Sequence, residues 1–416
     1  MYLCIDLKSF YASAECAERG LDPFKVNLVV ADPKRGQGAL CLAVTPAMKA
    51  LGVKNRCRLF EIPPGIKYII APPHMRKYME VSAHIYSIYL RYIAKEDIYV
   101  YSIDECFIDL EPYYALYKKT PKDMARFLMK AVFDDTGISS AAGIGTNLFL
   151  TKLALDITAK HSPDRIGYLD EDLFKKTLWY HEPITDIWNI GGGIAARLGK
   201  YGIHTLHGIT VVDESLLYKE FGINAEILID HAYGRESCTI RDIKAYRPQT
   251  EAISNSQVLF EDYTWGEALL ILHEMVQGLI LELLQRELAT GGISLSIGYS
   301  KEVHASSFGS MKFANPMDLP SEIENAFDVL YRKKAIRNYP IRTIGISLND
   351  VIPAKEMIFQ TSLFISPEKE LKQKHLAQAV LSIQHRYGKN AILRGTSLLD
   401  KSTIRKRNTM IGGHHA

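Results

Sequence analysis

The run Ile98-Tyr99-Val100-Tyr101-Ser102-Ile103-Asp104-Glu105-Cys106-Phe107-Ile108-Asp109-Leu110 decides the fold. It reads as two short strands, rich in β-branched and aromatic residues, flanking Ser102-Ile103-Asp104-Glu105. Far upstream, Tyr2–Asp6 is another short apolar strand that ends on a carboxylate. Burying an isolated carboxylate costs several kcal/mol or more. Two adjacent acids make it worse, because each disfavours ionisation of the other. A divalent metal resolves both costs. Hard oxygen ligands suit Mg²⁺, which is typically held by a few carboxylates plus substrate phosphates. Two such ions roughly 3.5–4 Å apart stabilise the attacking and leaving oxygens of an in-line phosphoryl displacement. The same residues also read as a solvated hairpin turn and a strand-end cap, and on spacing alone both readings stay open.

Outward from these acids, the pattern predicts a helix over Phe10–Arg19 and a β-rich run over Val26–Ala31. The latter leads into a Gly36-Gln37-Gly38 loop, and a short helix over Pro46–Leu51 is stopped by Gly52. An amphipathic helix over Pro121–Phe133, a small-residue strand over Ser140–Ile144 and a helix over Asn147–Lys160 follow. This irregular alternation argues for an α+β fold. From Ile184 to Tyr233 come short helices separated by glycines, and Arg235–Gln249 is polar and reads as a linker. Beyond it the elements run strand, helix, strand, strand, helix, strand: Ser254–Phe260, Gly266–Ala289, Ile293–Ser300, His304–Phe313, Leu319–Lys334 and Ile341–Leu348. That β-α-β-β-α-β order places two helices on one face of a four-stranded sheet. A tail after Pro353 carries one more helix, over Glu368–Tyr387.

The chain has 416 residues, 47% hydrophobic and 23% charged, which excludes disordered, collagen-like and disulfide-stapled classes. No run of about 18 apolar residues and no basic leader is present. The expectation is a cytoplasmic, nucleoid-associated protein with no membrane partner. None of the six cysteines forms a C-x-x-C pair, which fits reduced, mostly buried thiols. The net charge of +3 is uneven: −1 over residues 1–240, −3 over 241–351 and +7 over 352–416. Only the C-terminal piece is basic enough to suggest an anionic partner on charge alone.

Asp6-Leu7-Lys8-Ser9-Phe10-Tyr11-Ala12-Ser13 resembles the opening motif of the Y-family (translesion) DNA polymerases. Tyr101-Ser102-Ile103-Asp104-Glu105-Cys106 resembles their second palm motif, and Ala142-Gly143-Ile144-Gly145-Thr146-Asn147, with Lys152 and Lys160, is similar to the segment that follows. The resemblance covers about residues 2–350 and is closest to the bacterial UmuC/UvrX branch. It implies an α+β right-hand polymerase: palm over 1–24 and 71–165, fingers over 25–70, thumb over 166–235, a linker over 236–250, a little finger over 251–351 and a tail over 352–416. It implies low-fidelity, template-directed synthesis across DNA damage, tied to the SOS response and mutagenesis. Asp6, Asp104 and Glu105 would be the catalytic acids and, with the carbonyl of Leu7, would hold two Mg²⁺ ions, Mn²⁺ being an alternative. Phe10, Tyr11, Thr45, Lys49 and Lys160 would meet the dNTP, with Tyr11 gating its sugar. Taken without the resemblance, Tyr11 also reads as core packing and Lys160 as a surface charge. The chain departs from much of the family at Lys8, Ser9, Pro46 and Lys49, where an acid, an aromatic, a tyrosine and an arginine are frequent. A lysine at 49 meets phosphate as a point charge and lacks the bidentate fork.

Trp188-Asn189-Ile190-Gly191-Gly192-Gly193-Ile194 reads as a glycine turn between helices. It lets backbone N–H groups approach a phosphate and resembles a helix-hairpin-helix, which would put Gly191, Gly192 and Gly193 on primer-template DNA. An ordinary packed helix pair is the plainer reading. In the little finger, Lys301, Lys312 and Arg342 are the expected DNA contacts. Gln360-Thr361-Ser362-Leu363-Phe364 resembles the sliding-clamp-binding pentapeptide, with Gln360 at a pocket rim and Leu363 and Phe364 inside it. Lys401, Arg405, Lys406 and Arg407 read as a solvated tail or as extra DNA contact. Accessory repair proteins are further expected partners. A two-metal nuclease and a non-catalytic DNA-binding repair protein are the competing readings.

Overall fold

The apolar strand and the acidic hairpin meet in one sheet of the computed structural model, which describes residues 1–248, 251–357 and 367–415. The chain forms two units, one built on Met1–Tyr246 and one on Arg247–Gly413.

In the first unit, β1 (Tyr2–Leu7) is followed by α1 (Phe10–Glu18). Next come β2 (Leu28–Val30), β3 (Ala43–Val44), α2 (Pro46–Ala50) and β4 (Ile69–Ala71), whose strands pair as β3-β2-β4. After α3 (Met75–Tyr89) come β5 (Ile98–Val100), β6 (Glu105–Asp109), the short α4 (Tyr114–Tyr117), α5 (Pro121–Thr136), β7 (Ser140–Gly145), α6 (Leu148–Asp156) and β8 (Ile166–Leu169). The main sheet runs β5-β6-β1-β7-β8, with β1 in the middle and antiparallel to both neighbours. The two-residue period of a strand splits β1 into two faces. Leu3, Ile5 and Leu7 enter a core with Phe10, Tyr78 and Leu128. Cys4 packs on the other face with Phe107, Ala141, Leu148 and Leu155, and Asp6 shares that face.

The small residues of β7 have a steric cause. A Cβ on Gly143 would lie 2.2 Å from the Thr151 carbonyl oxygen, and one on Gly145 2.4 Å from the Thr151 nitrogen. Only glycine lets α6 lie this close to the sheet, which brings the Lys152 side chain down onto the strand ends. Asn147 starts that helix, its Oδ1 accepting from the Leu150 N–H at 2.8 Å.

Five short helices follow: α7 (Glu171–Thr177), α8 (Gly192–Gly199), α9 (Leu206–Thr210), α10 (Glu214–Phe221) and α11 (Asn224–Ala232). The expected linker over 236–250 is not a free connector in its described part. Residues Ile240–Ala245 form α12, with a capping box between Thr239 and Asp242. Ile240 and Ile243 pack beside Tyr2, Tyr99 and Phe107, and Lys244 Nζ donates to the carbonyls of Lys95 and Glu96. Two apolar residues at i and i+3 gave it a buried edge that its polar composition concealed.

The second unit has the expected order: β9 (Glu251–Tyr263), α13 (Trp265–Gln285), β10 (Leu288–Tyr299), β11 (Ser306–Met317), α14 (Pro320–Lys334) and β12 (Ile341–Pro353). Its antiparallel sheet runs β11-β10-β12-β9. One face is covered by Ile271, Met275, Leu279, Phe327 and Leu330 from the helices. After α15 (Pro367–Tyr387) the chain does not trail into solvent. Lys374 pairs with Asp318 at 2.7 Å, Arg394 pairs with Glu324, and the short α16 (Ile404–Arg407) lies against β9. Among the described residues no helix is long and apolar enough to cross a membrane.

Candidate active site

Strand register places the acids. Asp6 is the cross-strand partner of Glu105, and the Leu7 N–H donates to the Asp104 carbonyl at 2.9 Å. Cross-strand neighbours sit about 4.5–5.5 Å apart at Cβ, so the amino-terminal acid and the later pair share one end of one sheet. Leu7 itself is in the core, 4% exposed, which leaves its carbonyl as the only group it can offer a ligand.

The acids differ in their partners. From α6, Lys152 reaches Glu105 at 2.6 Å and Asp156 at 3.1 Å, and the Cys4 thiol donates to Glu105 at 3.1 Å. The Ser102 hydroxyl donates to Asp104 at 2.7 Å. Asp6 receives no hydrogen bond among the described residues. Burial first, then the negative charges of Asp104 and Glu105, push its carboxyl up to about 7. Burial works to lower the Lys152 ammonium, but Glu105 and Asp156 outweigh it and hold it above the usual lysine range.

Among the described residues no three acids, histidines or cysteines converge on a common point. The expected cage is therefore present as backbone proximity and not as converged side chains. Like charges avoid one another, and Glu105 and Asp104 each take a nearby donor instead. The donor set still fits a hard divalent cation. It is all oxygen, and Asp6 is a desolvated carboxyl with a raised affinity for protons and no ion pair among the described residues.

That desolvation carries a signed prediction for the metal-free chain kept in chelator. The folded state holds a proton on Asp6 up to about pH 7, whereas the unfolded state releases it near the ordinary carboxylate value. Stability therefore falls as pH rises through that window. Asp6→Asn should melt higher than the parent above pH 7, by about 2–4 °C for each kcal/mol relieved. The gap should close as the pH is lowered toward about 4. A melting difference that ignores pH would remove the reading of Asp6 as a strained acid.

Tyr11 is half-buried and stacks on Tyr78, with ring centroids 4.5 Å apart and 20° between planes. The Tyr78 hydroxyl donates at 2.7 Å to Glu15, which is fully buried and also meets His74 and Arg19. A fixed ring under Tyr11 is thus anchored to a buried carboxylate. Two expected nucleotide contacts are corrected. Phe10 is 2% exposed and its ring lies in the core. Thr45 is fully buried, and its hydroxyl donates to the Val26 carbonyl at 2.8 Å and accepts from the Leu28 N–H at 3.2 Å. Its hydroxyl closes the strand pair and does not face a substrate.

Lys49 is near enough to Asp6, Lys8 and Lys160 to feel their charges. Burial, then Arg165 and Lys160, hold the Lys8 ammonium below its usual range, while Asp6 pulls it upward. Lys49 is lowered by burial and by Lys8 and Lys160, with Asp6 again opposing. Four cations thus gather beside the acids, and Lys8 and Arg165 were not assigned from sequence. Arg165 stacks on Phe24 at 4.8 Å. At the start of α1, Ser9 adopts a left-handed backbone and its hydroxyl is buried without a partner, so no side chain caps the helix. The leading N–H groups of α1 are free of intrahelical partners.

Gly191 caps α8, and Gly192 and Gly193 open it. A Cβ at any of the three would meet nothing within 4 Å, and none has a positive φ. The fold therefore does not demand glycine there.

On the second unit, the face of the sheet away from the helices is built of small hydroxyls. Ser256, Gly345, Ser296 and Phe308 form one row, and Ser254, Ser347, Ser294 and Ser310 the next. Lys312 follows on the same face of β11 and is exposed, and Lys301 lies exposed in the turn after β10. Arg342, partly exposed, pairs with Asp262 at 3.5 Å. Gln360, Leu363 and Phe364 lie outside the described residues.

The sequence pattern of the impB/mucB/samB family matches residues 5–156, and that of the family's C-terminal domain matches residues 250–363. The chain is 32% identical to UvrX of Bacillus subtilis (strain 168), whose name places it in UV-damage repair, over 99% of this chain and 97% of that one. It is 27% identical to DNA polymerase IV 2 of the same organism, over 99% and 98%. Its fold is similar to that of a Y-family DNA polymerase chimera of Dbh and Dpo4, with a TM-score of 0.64, 19% identity and coverage of 84% of this chain and 99% of that one. The α+β fold expected from sequence is that shared fold.

Proposed function

Since the chain belongs to the impB/mucB/samB family, we propose that it is a low-fidelity, template-directed DNA polymerase that copies damaged DNA. The observation that carries this reading is the sheet end where Asp6 pairs with Glu105, with Asp104 adjoining and four cations alongside. An acid cluster next to a cation cluster suits a substrate that is both metal-bound and polyphosphorylated.

Asp6, Asp104, Glu105 and the Leu7 carbonyl are the groups that would hold two Mg²⁺ ions, or Mn²⁺ in their place, and bound there the pair would supply activation of the primer 3′-hydroxyl and charge stabilisation at the leaving pyrophosphate. Lys49 and Lys160, joined by Lys8, neutralise the triphosphate. The uncapped start of α1, with the unpartnered Ser9 hydroxyl, offers it hydrogen-bond donors. Tyr11 sets the floor under the sugar. Lys152 pairs with the Glu105 carboxylate and orients it along the strand ends. On the DNA, the backbone of Gly191, Gly192 and Gly193 holds phosphates without reading bases. The hydroxyl face of the second sheet allows close approach of a sugar–phosphate backbone, with Lys301 and Lys312 as its cations. The boundaries proposed for palm, fingers, thumb, little finger and tail are those read from the sequence, with α12 added to the palm.

Primer extension tests the reading. Purified chain with Mg²⁺, the four dNTPs and a primed template, intact or carrying a defined lesion, should lengthen the primer. Shortening would mark a nuclease instead, and binding with neither outcome a non-catalytic DNA-binding protein.

A sliding clamp is the proposed partner of Gln360, Leu363 and Phe364. Two apolar side chains filling one pocket supply most of such a contact. Replacing Leu363 and Phe364 by Ala should abolish stimulation of synthesis by the clamp and leave clamp-free synthesis unchanged. Equal stimulation would remove the peptide as the docking site.

A further inference from the structure

We propose that the C-terminal segment is a DNA-contacting part of the second unit, in which Arg405 and Lys406 form a phosphate-binding lip on the rim of the open sheet face. The inference rests on the reading that this face meets DNA.

The segment is built into the unit. Glu274 of α13 is a carboxylate only 4% exposed. Its partners come from the tail: the Ser402 hydroxyl, the Thr403 N–H at 3.1 Å and the Thr403 hydroxyl at 3.4 Å. The Tyr263 hydroxyl donates to the Lys401 carbonyl at 3.2 Å, and Gln257 Nε2 donates to the Thr403 hydroxyl at 3.1 Å. A buried carboxylate is costly to leave unpaired, so Glu274 fixes where residues 401–403 run. The four residues that follow, α16, are thereby held at the β9 edge.

From that edge the segment reaches the open face. Phe260 belongs to the strand set that includes Ser254, Ser256 and Val258, and it is 41% exposed. Lys406 Nζ sits 3.8 Å above the centre of its ring. Register locates the contact: Val258 pairs with Thr343, and Thr343 with Gly298. Phe260 lies beyond Val258 toward the Tyr263 end of β9, and Tyr263 pairs with Ile341, which pairs with Tyr299 shortly before Lys301, so Phe260 and Lys301 belong to the same end of the sheet.

Charge decides what this lip does. Without the tail, Lys301 and Arg342 stand against Glu261, Asp262 and Glu302, leaving that end of the sheet one charge negative. Residues 400–407 bring Lys401, Arg405, Lys406 and Arg407 against Asp400, three net positive charges. Lys401 pairs with Glu261 at 2.5 Å, and the Arg407 side chain is turned inward, its Nη1 buried. Arg405 and Lys406 are exposed and meet no carboxylate among the described residues. The docked tail thus reverses the sign of the sheet's end and leaves two cations facing outward. A polyanion is the partner that such a reversal suits.

The test measures binding of a primer-template duplex to the full chain by fluorescence anisotropy across a salt series, for the parent, Arg405→Ala/Lys406→Ala and Lys312→Ala. The tail variant should bind roughly tenfold more weakly at low salt, and the slope of log affinity against log salt should shrink by about 1.8. Its melting temperature should match the parent. Ser402→Ala/Thr403→Val, which releases the segment from Glu274 while keeping both cations, should lose affinity in the same direction. Unchanged affinity and slope in the Arg405/Lys406 variant, with weaker binding by Lys312→Ala, would overturn the tail's role and leave the sheet reading intact. Unchanged binding in both would overturn the sheet reading and the lip with it.

Discussion

A chain with Asp104→Ala and Glu105→Ala should hold primed DNA as tightly as the parent and fail to lengthen it. The two residues stand opposite Asp6 at one sheet end, and no other carboxylate pair in the described strands shares that register. Removing both leaves a single acid, too few to hold the ions that a phosphoryl displacement of this kind needs. The expected loss in extension rate is at least about 1,000-fold, roughly 4 kcal/mol of barrier. The fold should survive, because Lys152 keeps Asp156 at 3.1 Å once Glu105 is gone. DNA affinity should hold because the proposed contacts, Gly191 to Gly193 and the hydroxyl face, are other parts of the chain. Single-turnover extension and anisotropy on the same preparation separate the two quantities. Extension within tenfold of the parent would show that these acids are not the reacting centre.

The resemblance and the register point to the same acids for different reasons. A motif states that Asp6 and Asp104-Glu105 belong together, whereas the pairing of β1 with β6 shows what brings them there. Alternation along β1 was legible because Leu3, Ile5 and Leu7 are apolar and face one core. The β-α-β-β-α-β order was legible for the same reason, and its strands run longer than read because their ends are polar and solvated. What sequence could not show were partners distant along the chain. Nothing near Glu274 in the sequence marks it as buried; Ser402 and Thr403, far along the chain, close over it. Thr45 and Phe10 sit within motifs whose neighbours are candidate ligands, yet each is consumed by packing. Lys152 carried one local signal, an acid four residues on at Asp156. Its contact with Glu105 depends on the close approach that Gly143 and Gly145 permit.

Sugar selectivity should collapse when Tyr11 is cut back to alanine. The ring is held from below by Tyr78, and Tyr78 is tied to the buried Glu15, so Tyr11 is stacked on a ring that cannot retreat. A rigid surface of this kind excludes an added hydroxyl by contact, and its effectiveness depends on the ring having nowhere to move. With Ala at 11 the space opens while the acids and lysines stay in place. The ratio of kcat/KM for a dNTP over the matching ribonucleotide should fall by roughly 100-fold, mostly through a gain with the ribonucleotide. Tyr11→Phe should keep the parent's ratio, because the ring does the excluding and no hydrogen bond of its hydroxyl is formed among the described residues. Phe10 cannot take over the role, since its ring lies in the core at 2% exposure. A ratio unchanged by Tyr11→Ala would place the gate elsewhere, and a ratio lost equally in Tyr11→Phe would assign it to the hydroxyl instead of the ring.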